Sequence, residues 1–221
     1  RIYKEKEEEN PDIPRYNPET DQDLTENMTV TRNNTQISYT GVLEEFQTTG
    51  NINYKFNMPS LKSNDTYYIR ASVRVDSQED ANSTPLIHFR SDGTTSVGLA
   101  FRGGGTYIVN QNIFDIKDEN GNSSWRSAAR VVGRTHTIVI KSTPETVSVW
   151  IDGSLVYDEF NLKNSGSGDL SGLPNDLTIR FVQGTKGVTI SKTFNLQVWK
   201  LKETVIPARP EPEYNSETDA L

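Results

Sequence analysis

Residues 146–160 read TVSVWIDGSLVYDEF, and this stretch decides the fold. Val147, Val149 and Ile151 recur at every second position, the period of a strand with one buried face. Asp152–Gly153 follows at once. Asp-Gly accepts positive φ at both positions, so it joins two antiparallel strands through a tight turn, with SLVYDEF as the returning strand. Working outward, 67–76 (YYIRASVRVD) alternates in the same way, with Ile69, Ala71, Val73 and Val75 on one face. Further strands are expected near 35–40, 51–57, 85–91, 96–102, 106–112, 135–142, 177–183 and 193–201. No stretch carries a 3.6-residue apolar period. Many short strands separated by Gly, Asn, Asp and Ser specify an all-β protein, an antiparallel two-sheet sandwich or a barrel.

The flanks have another character. Residues 1–26 contain three prolines and a Glu run and net −5; residues 203–221, with alternating prolines, net −4. Of the total of −7 this leaves +2 for the body, so the acidity belongs to the flanks. Such segments bury too little apolar surface to offset their ordering entropy, and both are expected to be extended terminal arms or linkers around a 27–202 sandwich domain. An acidic chain argues against binding to a nucleic-acid backbone. No apolar run approaches the roughly 20 residues that span a bilayer, so no membrane insertion is expected. The chain has no cysteine and two histidines, His88 and His136, which leaves no thiolate chemistry and little with which to build a zinc site. It does not begin with Met and is expected to be a processed or excised part of something larger.

Three segments taken in order resemble the laminin-G/concanavalin A-like superfamily: YYIRASVRVD (67–76), PLIHFRSDGTTSVGLAFRGGGTYIV (85–109), and THTIVIKSTPETVSVWIDGSLVYDEF (135–160). The second resembles the paired strands of fructan-binding sandwich modules appended to glycoside hydrolases. The third resembles the superfamily's signature hairpin, and TISKTFNLQVWKL (189–201) would be the closing strand, returning beside the first. The resemblance implies a concanavalin A-like jelly roll over about 35–202. It does not select among lectins, carbohydrate-binding modules, adhesins, glycanases and structural domains, all of which share that fold.

Alternation then proposes a ligand face. If Ile69, Ala71 and Val73 point inward, Arg70 points out; by the same rule His88, Arg90, Arg102 and Trp150 are expected outside, with Tyr107 or Asn110 nearby. Sugars need an aromatic ring under their C–H face and directional partners for their hydroxyls, and arginine offers a planar fork of donors. These seven residues are therefore the expected glycan groove. Against this stand ordinary structural roles: strand arginines pair across strands, and Trp150 would equally fill a second apolar layer beneath a loop. Asp76, Glu79 and Asp80, in the acidic loop 76–83, are the candidate ligands for a calcium ion, which sandwiches resembling this one often hold. The loop 115–122 (DIKDENGN) is a weaker calcium candidate, because ordinary turns prefer the same residues. No spaced pair of same-face carboxylates suggests glycoside hydrolysis. The expectation is a non-catalytic glycan-binding module facing a glycan or glycosylated surface, outside the cell or on a cell or virion surface. The alternatives are a structural or decoration domain whose arms dock to neighbouring subunits, and a glycoside hydrolase.

Overall fold

The computed structural model describes residues 13–45, 51–78, 84–102, 105–110, 116–118, 120–126, 132–163, 168–182 and 189–203. Among these there is no helix, and the strands are β1 (Asp21–Asp23), β2 (Thr29–Arg32), β3 (Thr35–Ile37), β4 (Val42–Glu45), β5 (Ile52–Asn57), β6 (Tyr67–Gln78), β7 (Thr84–Ser91), β8 (Ser96–Arg102), β9 (Gly105–Asn110), β10 (Thr135–Ser142), β11 (Thr146–Ile151), β12 (Ser154–Asn161), β13 (Asn175–Val182) and β14 (Thr189–Leu201). They form two antiparallel sheets. One runs β1-β14-β6-β10-β11-β12, with β4 also paired to β14; the other runs β3-β2-β5-β13-β7-β8-β9. The last strand returns beside β6, as the resemblance implied.

The predicted alternation builds the core. Ile69, Ala71 and Val73 of β6 meet Ile138 and Ile140 of β10 and Val147, Val149 and Ile151 of β11 on one inner face. Ile87 and Phe89 of β7, Val97, Leu99 and Phe101 of β8, and Leu177, Ile179 and Phe181 of β13 form the other. Each fully buried side chain of this size stabilises the fold by roughly 1.5–3 kcal/mol relative to exposure. The Asp-Gly turn falls where expected, with φ of 48° at Asp152 and 86° at Gly153. Its Asp152 carboxylate accepts the Thr137 amide (2.9 Å) and lies 2.7 Å from His136 Nδ1, which gives that histidine a structural partner.

Two expectations need correction. Residues 13–26 are not a free arm. Strand β1 pairs with the end of β14 and Leu24 is buried, so the sandwich begins inside the stretch read as a linker. Ile13 and Tyr16 pack over Val139, Trp150 and Trp199 on the outer face of the first sheet, where Tyr68 stacks on Trp199 (centroids 5.3 Å apart, planes at 11°). Proline and charge content concealed this, because the apolar partners of Ile13 and Tyr16 lie more than a hundred residues away in sequence. Residues 1–12 and 204–221 lie outside the described residues.

The second correction concerns β7. His88 pairs with Gly98, but Arg90 pairs with Val97, so Phe89 has no partner in the ladder and forms a β-bulge. Alternation restarts there, and Arg90 shares the inward parity of Val97 instead of facing solvent. Its side chain is fully buried. It donates to Ser142 Oγ (3.0 Å), Leu173 O (2.7 Å), Ser63 O (3.4 Å) and Asp65 O (3.2 Å), tying the second sheet to β10 and to two connecting loops. Tyr67 adds a further tie across the core by donating its hydroxyl to Phe89 O at 2.6 Å.

Candidate functional site

The structure does not bring the seven predicted groove residues together. Arg70 and Trp150 sit on the first sheet, whereas His88, Arg90, Arg102, Tyr107 and Asn110 belong to strands of the second. The two outer faces are opposite sides of the sandwich, so no single groove can contain all seven. Arg70 is exposed, but Trp150 is buried in the apolar layer beneath Ile13 and Tyr16. Arg90 is interior. Asn110 pairs with Val97 and so takes the inward parity. Tyr107 does face outward, packed on Leu86, Ala100 and Val109. The Arg102 side chain lies outside the described residues.

Only His88 leads to a site. Across the second sheet, Lys55, Thr178, His88 and Gly98 are successive ladder partners, as are Asn53, Arg180, Leu86, Ala100 and Tyr107 one step along. Where the two rows adjoin, a cavity of about 240 Å³ opens, lined by Asn53, His88, Ser91, Ser96, Thr178 and Arg180. Three of its polar atoms are buried with no hydrogen-bond partner: His88 Nε2, Ser96 Oγ and Arg180 Nε. His88 is 6% exposed and Ser96 3%. A buried polar atom without a partner costs about 1–3 kcal/mol, so three at one place mark a surface that awaits something polar. The concavity between 25–30 and 36–39 is larger, about 420 Å³, but contains only one such atom, Tyr39 Oη.

Gly98 sets the imidazole. A Cβ there would lie 2.8 Å from Ile87 O and 3.2 Å from His88 Cδ2, so only glycine lets the ring lie across β8. Burial first, and then the charge of Arg180, lower the His88 pKa from 6.5 to about 4; Asp176 opposes this weakly. Asp176 is otherwise engaged, by Lys55 Nζ at 2.9 Å and Thr178 Oγ1 at 3.1 Å. At neutral pH His88 is therefore an uncharged ring beside a guanidinium.

That shift predicts a pH dependence. Its folded-state pKa lies below the ordinary value, so His88 costs no stability above pH 6.5. As pH falls from 6.5 to 4 the unfolded chain takes a proton that the folded chain refuses, and stability declines by about 2–3 kcal/mol. Arg180 and Asp176 on β13 are the charged groups acting on it, while its β8 neighbours Ser96 and Gly98 are neutral. Urea unfolding of the wild type and His88→Gln across this range should show a shallower decline for the variant. Parallel curves would rule the account out.

Of the candidate calcium ligands, Glu79 and Asp80 lie outside the described residues, and the Asp76 carboxylate accepts from Arg74 Nε. In the 115–122 loop, Asp118 accepts from its own neighbours, the Asn120 amide, the Asn122 amide and Asn122 Nδ2; these bonds hold its pKa below the usual carboxylate value. Among the described residues no cluster of three or more acidic or histidine side chains is arranged to hold a metal.

Sequence reasoning missed Asn53, Ser91, Ser96, Thr178 and Arg180. Alternation in 177–183 alone would have placed Thr178 and Arg180 on the outer face, but nothing local shows that β13 lies beside β7.

No protein-family model matches the chain, and no curated protein matches it by sequence. Solved structures share its fold. Winged bean acidic lectin in complex with methyl-α-D-galactose is 10% identical at a TM-score of 0.54, over 83% of this chain and 99% of the lectin. Alginate lyase A1-II′, of polysaccharide lyase family 7, is 14% identical at a TM-score of 0.53, over 80% and 95%. The binding domain of botulinum neurotoxin serotype D is 15% identical at a TM-score of 0.50, over 79% of this chain and 44% of that one. The chain has the concanavalin A-like jelly-roll fold.

Proposed function

We propose that the chain binds a glycan, without cleaving it, on the outer face of the β3–β9 sheet, at the cavity around His88. The observation that carries this reading is the convergence of three buried, unpartnered polar atoms, His88 Nε2, Ser96 Oγ and Arg180 Nε, on one concavity. Sugar hydroxyls both donate and accept, and this lining offers both functions: a neutral imidazole, two serines, a threonine, an asparagine amide and a guanidinium. Structures of this fold that hold a galactoside or act on alginate lend the reading further support. An extracellular or surface setting, where glycans are displayed, accompanies it.

The test is an oligosaccharide array followed by titration calorimetry. His88→Ala and Ser96→Ala should each weaken binding about tenfold or more, since each removes a buried polar partner. Arg70→Ala, on the opposite face, should leave it unchanged. Binding that survives at His88 but fails at Arg70 would move the site to the first sheet and refute the proposal.

A second reading, that the bound glycan is also cut, is favoured by one observation: an alginate lyase shares this fold. Chromatography of any bound oligosaccharide after prolonged incubation separates the two. Shortened products that vanish in His88→Ala establish cleavage, and an intact ligand establishes binding alone.

A further inference from the structure

The same cavity has a charge as well as a shape, and the inference drawn from it rests on the glycan-binding reading. None of its six lining residues is acidic, and one, Arg180, is a cation whose Nε has no partner. The acid nearest in the ladder, Asp176, already serves Lys55 and Thr178. Directly across β13 from Thr178, His88 presents Nε2 to the same space, 94% buried by its 6% exposure. A guanidinium and an imidazole aimed into a partly desolvated cavity, with no counter-charge lining it among the described residues, form an incomplete set.

We infer that the cavity takes a sugar residue bearing a single oxyanion, a carboxylate or a sulfate ester, held between the Arg180 guanidinium and the His88 imidazole. The oxyanion would accept from Arg180 and offset its charge. That removes the smaller of the two causes that keep His88 unprotonated, burial being the larger, and adds an attractive one, so the His88 pKa rises and, as pH falls, a growing share of the complex holds an imidazolium donating to the ligand. Binding then takes up a proton. Among the described side chains, Arg180 and Asp176 on β13, and Lys55 on β5 through Asp176, are the charged groups around His88, and β8 contributes the neutral Gly98 and Ser96.

Five probes test this by calorimetry on the intact chain: oligogalacturonate, oligomannuronate, their two carboxyl-reduced neutral counterparts, and a sulfated galacto-oligosaccharide. At least one acidic probe should bind about tenfold more tightly than its neutral form, the usual gain from a charge-assisted contact. Its affinity should rise about three- to fivefold between pH 7.5 and 5.5, with proton uptake visible as a dependence of heat on buffer ionisation. Arg180→Gln should abolish the preference for acid, and His88→Gln the pH dependence. The uronate and sulfate arms distinguish the two sources of oxyanion. A neutral probe binding as tightly as its acidic form, or a flat wild-type pH profile, overturns the inference while leaving glycan binding standing. Binding of none of the probes overturns both. Should a variant fail to fold, the wild-type comparison of acidic and reduced probes still decides.

Discussion

Replacing Arg90 by Met is expected to lower the unfolding free energy by about 3–5 kcal/mol. Methionine fills much of the same volume, so the loss reports the hydrogen bonds and not a cavity. Arg90 gives donors to three backbone carbonyls, of Ser63, Asp65 and Leu173, and to Ser142 Oγ. With the guanidinium removed, Leu173 O and the buried Ser142 Oγ lose the donor they accept from, while Ser63 O and Asp65 O keep only the Asn175 amide and Asn175 Nδ2. Arg90→Lys should rescue little, because one ammonium cannot reach acceptors spread around a planar fork. Ser142→Ala, which deletes a single acceptor, should cost only about 1 kcal/mol. Urea unfolding followed by circular dichroism measures all three. A loss below about 1 kcal/mol for Arg90→Met would mean that the neighbouring carbonyls find other partners and that the residue is not the clasp described above.

The second large effect is expected at Trp199. Trp199→Ala should cost about 3–5 kcal/mol, the range for deleting a buried large aromatic side chain. It should act locally as well. Trp199 stacks on Tyr68 and meets the edge of Tyr16 at 6.4 Å, so its loss removes the platform on which residues 13–16 rest. Amide exchange at Asp21–Asp23, which pair with β14 at Trp199–Leu201, should quicken more than exchange at the central strands. Trp199→Phe keeps a stacking ring and should retain most of the stability. Unchanged exchange at Asp21–Asp23 in Trp199→Ala would show that the segment is held by β-pairing alone.

The fold was largely legible because its information is local. The 96–102 and 135–142 strands have the expected limits, and β5, β6, β7, β9, β11, β12 and β13 fall within one or two residues of theirs, since period-2 alternation and turn residues are read within short windows. Strands β1, β2 and β4 were missed. They are three or four residues long, pair to β14 or β5, and bury at most one core residue each, Val30 in β2 and Leu43 in β4, too few for a period to show. The site was less legible for two physical reasons. Alternation tells which side of its own sheet a residue takes but not which sheet that is, so Trp150 and His88 were assigned to one surface when they lie on opposite ones. A bulge adds one residue to one strand without any marker in FRS, and it turned Arg90 from a ligand-facing arginine into a core one. Nothing in the sequence of β8 shows that the space left by Gly98 is taken by the His88 ring.

The pairing of β1 with the end of β14 places Asp21 opposite Leu201, so the described polypeptide enters and leaves the sandwich through adjacent strands, about 5 Å apart. Upstream of β1, however, the chain runs back over the outer face of this sheet to Trp150 and the Gly153 turn, so the two described ends part from each other. Both ends also emerge from the sheet that does not carry His88, so a host attached there leaves the cavity open to a long polymer approaching from the far side. A carrier fused at either end of residues 13–203 should therefore leave whatever the cavity recognises within reach.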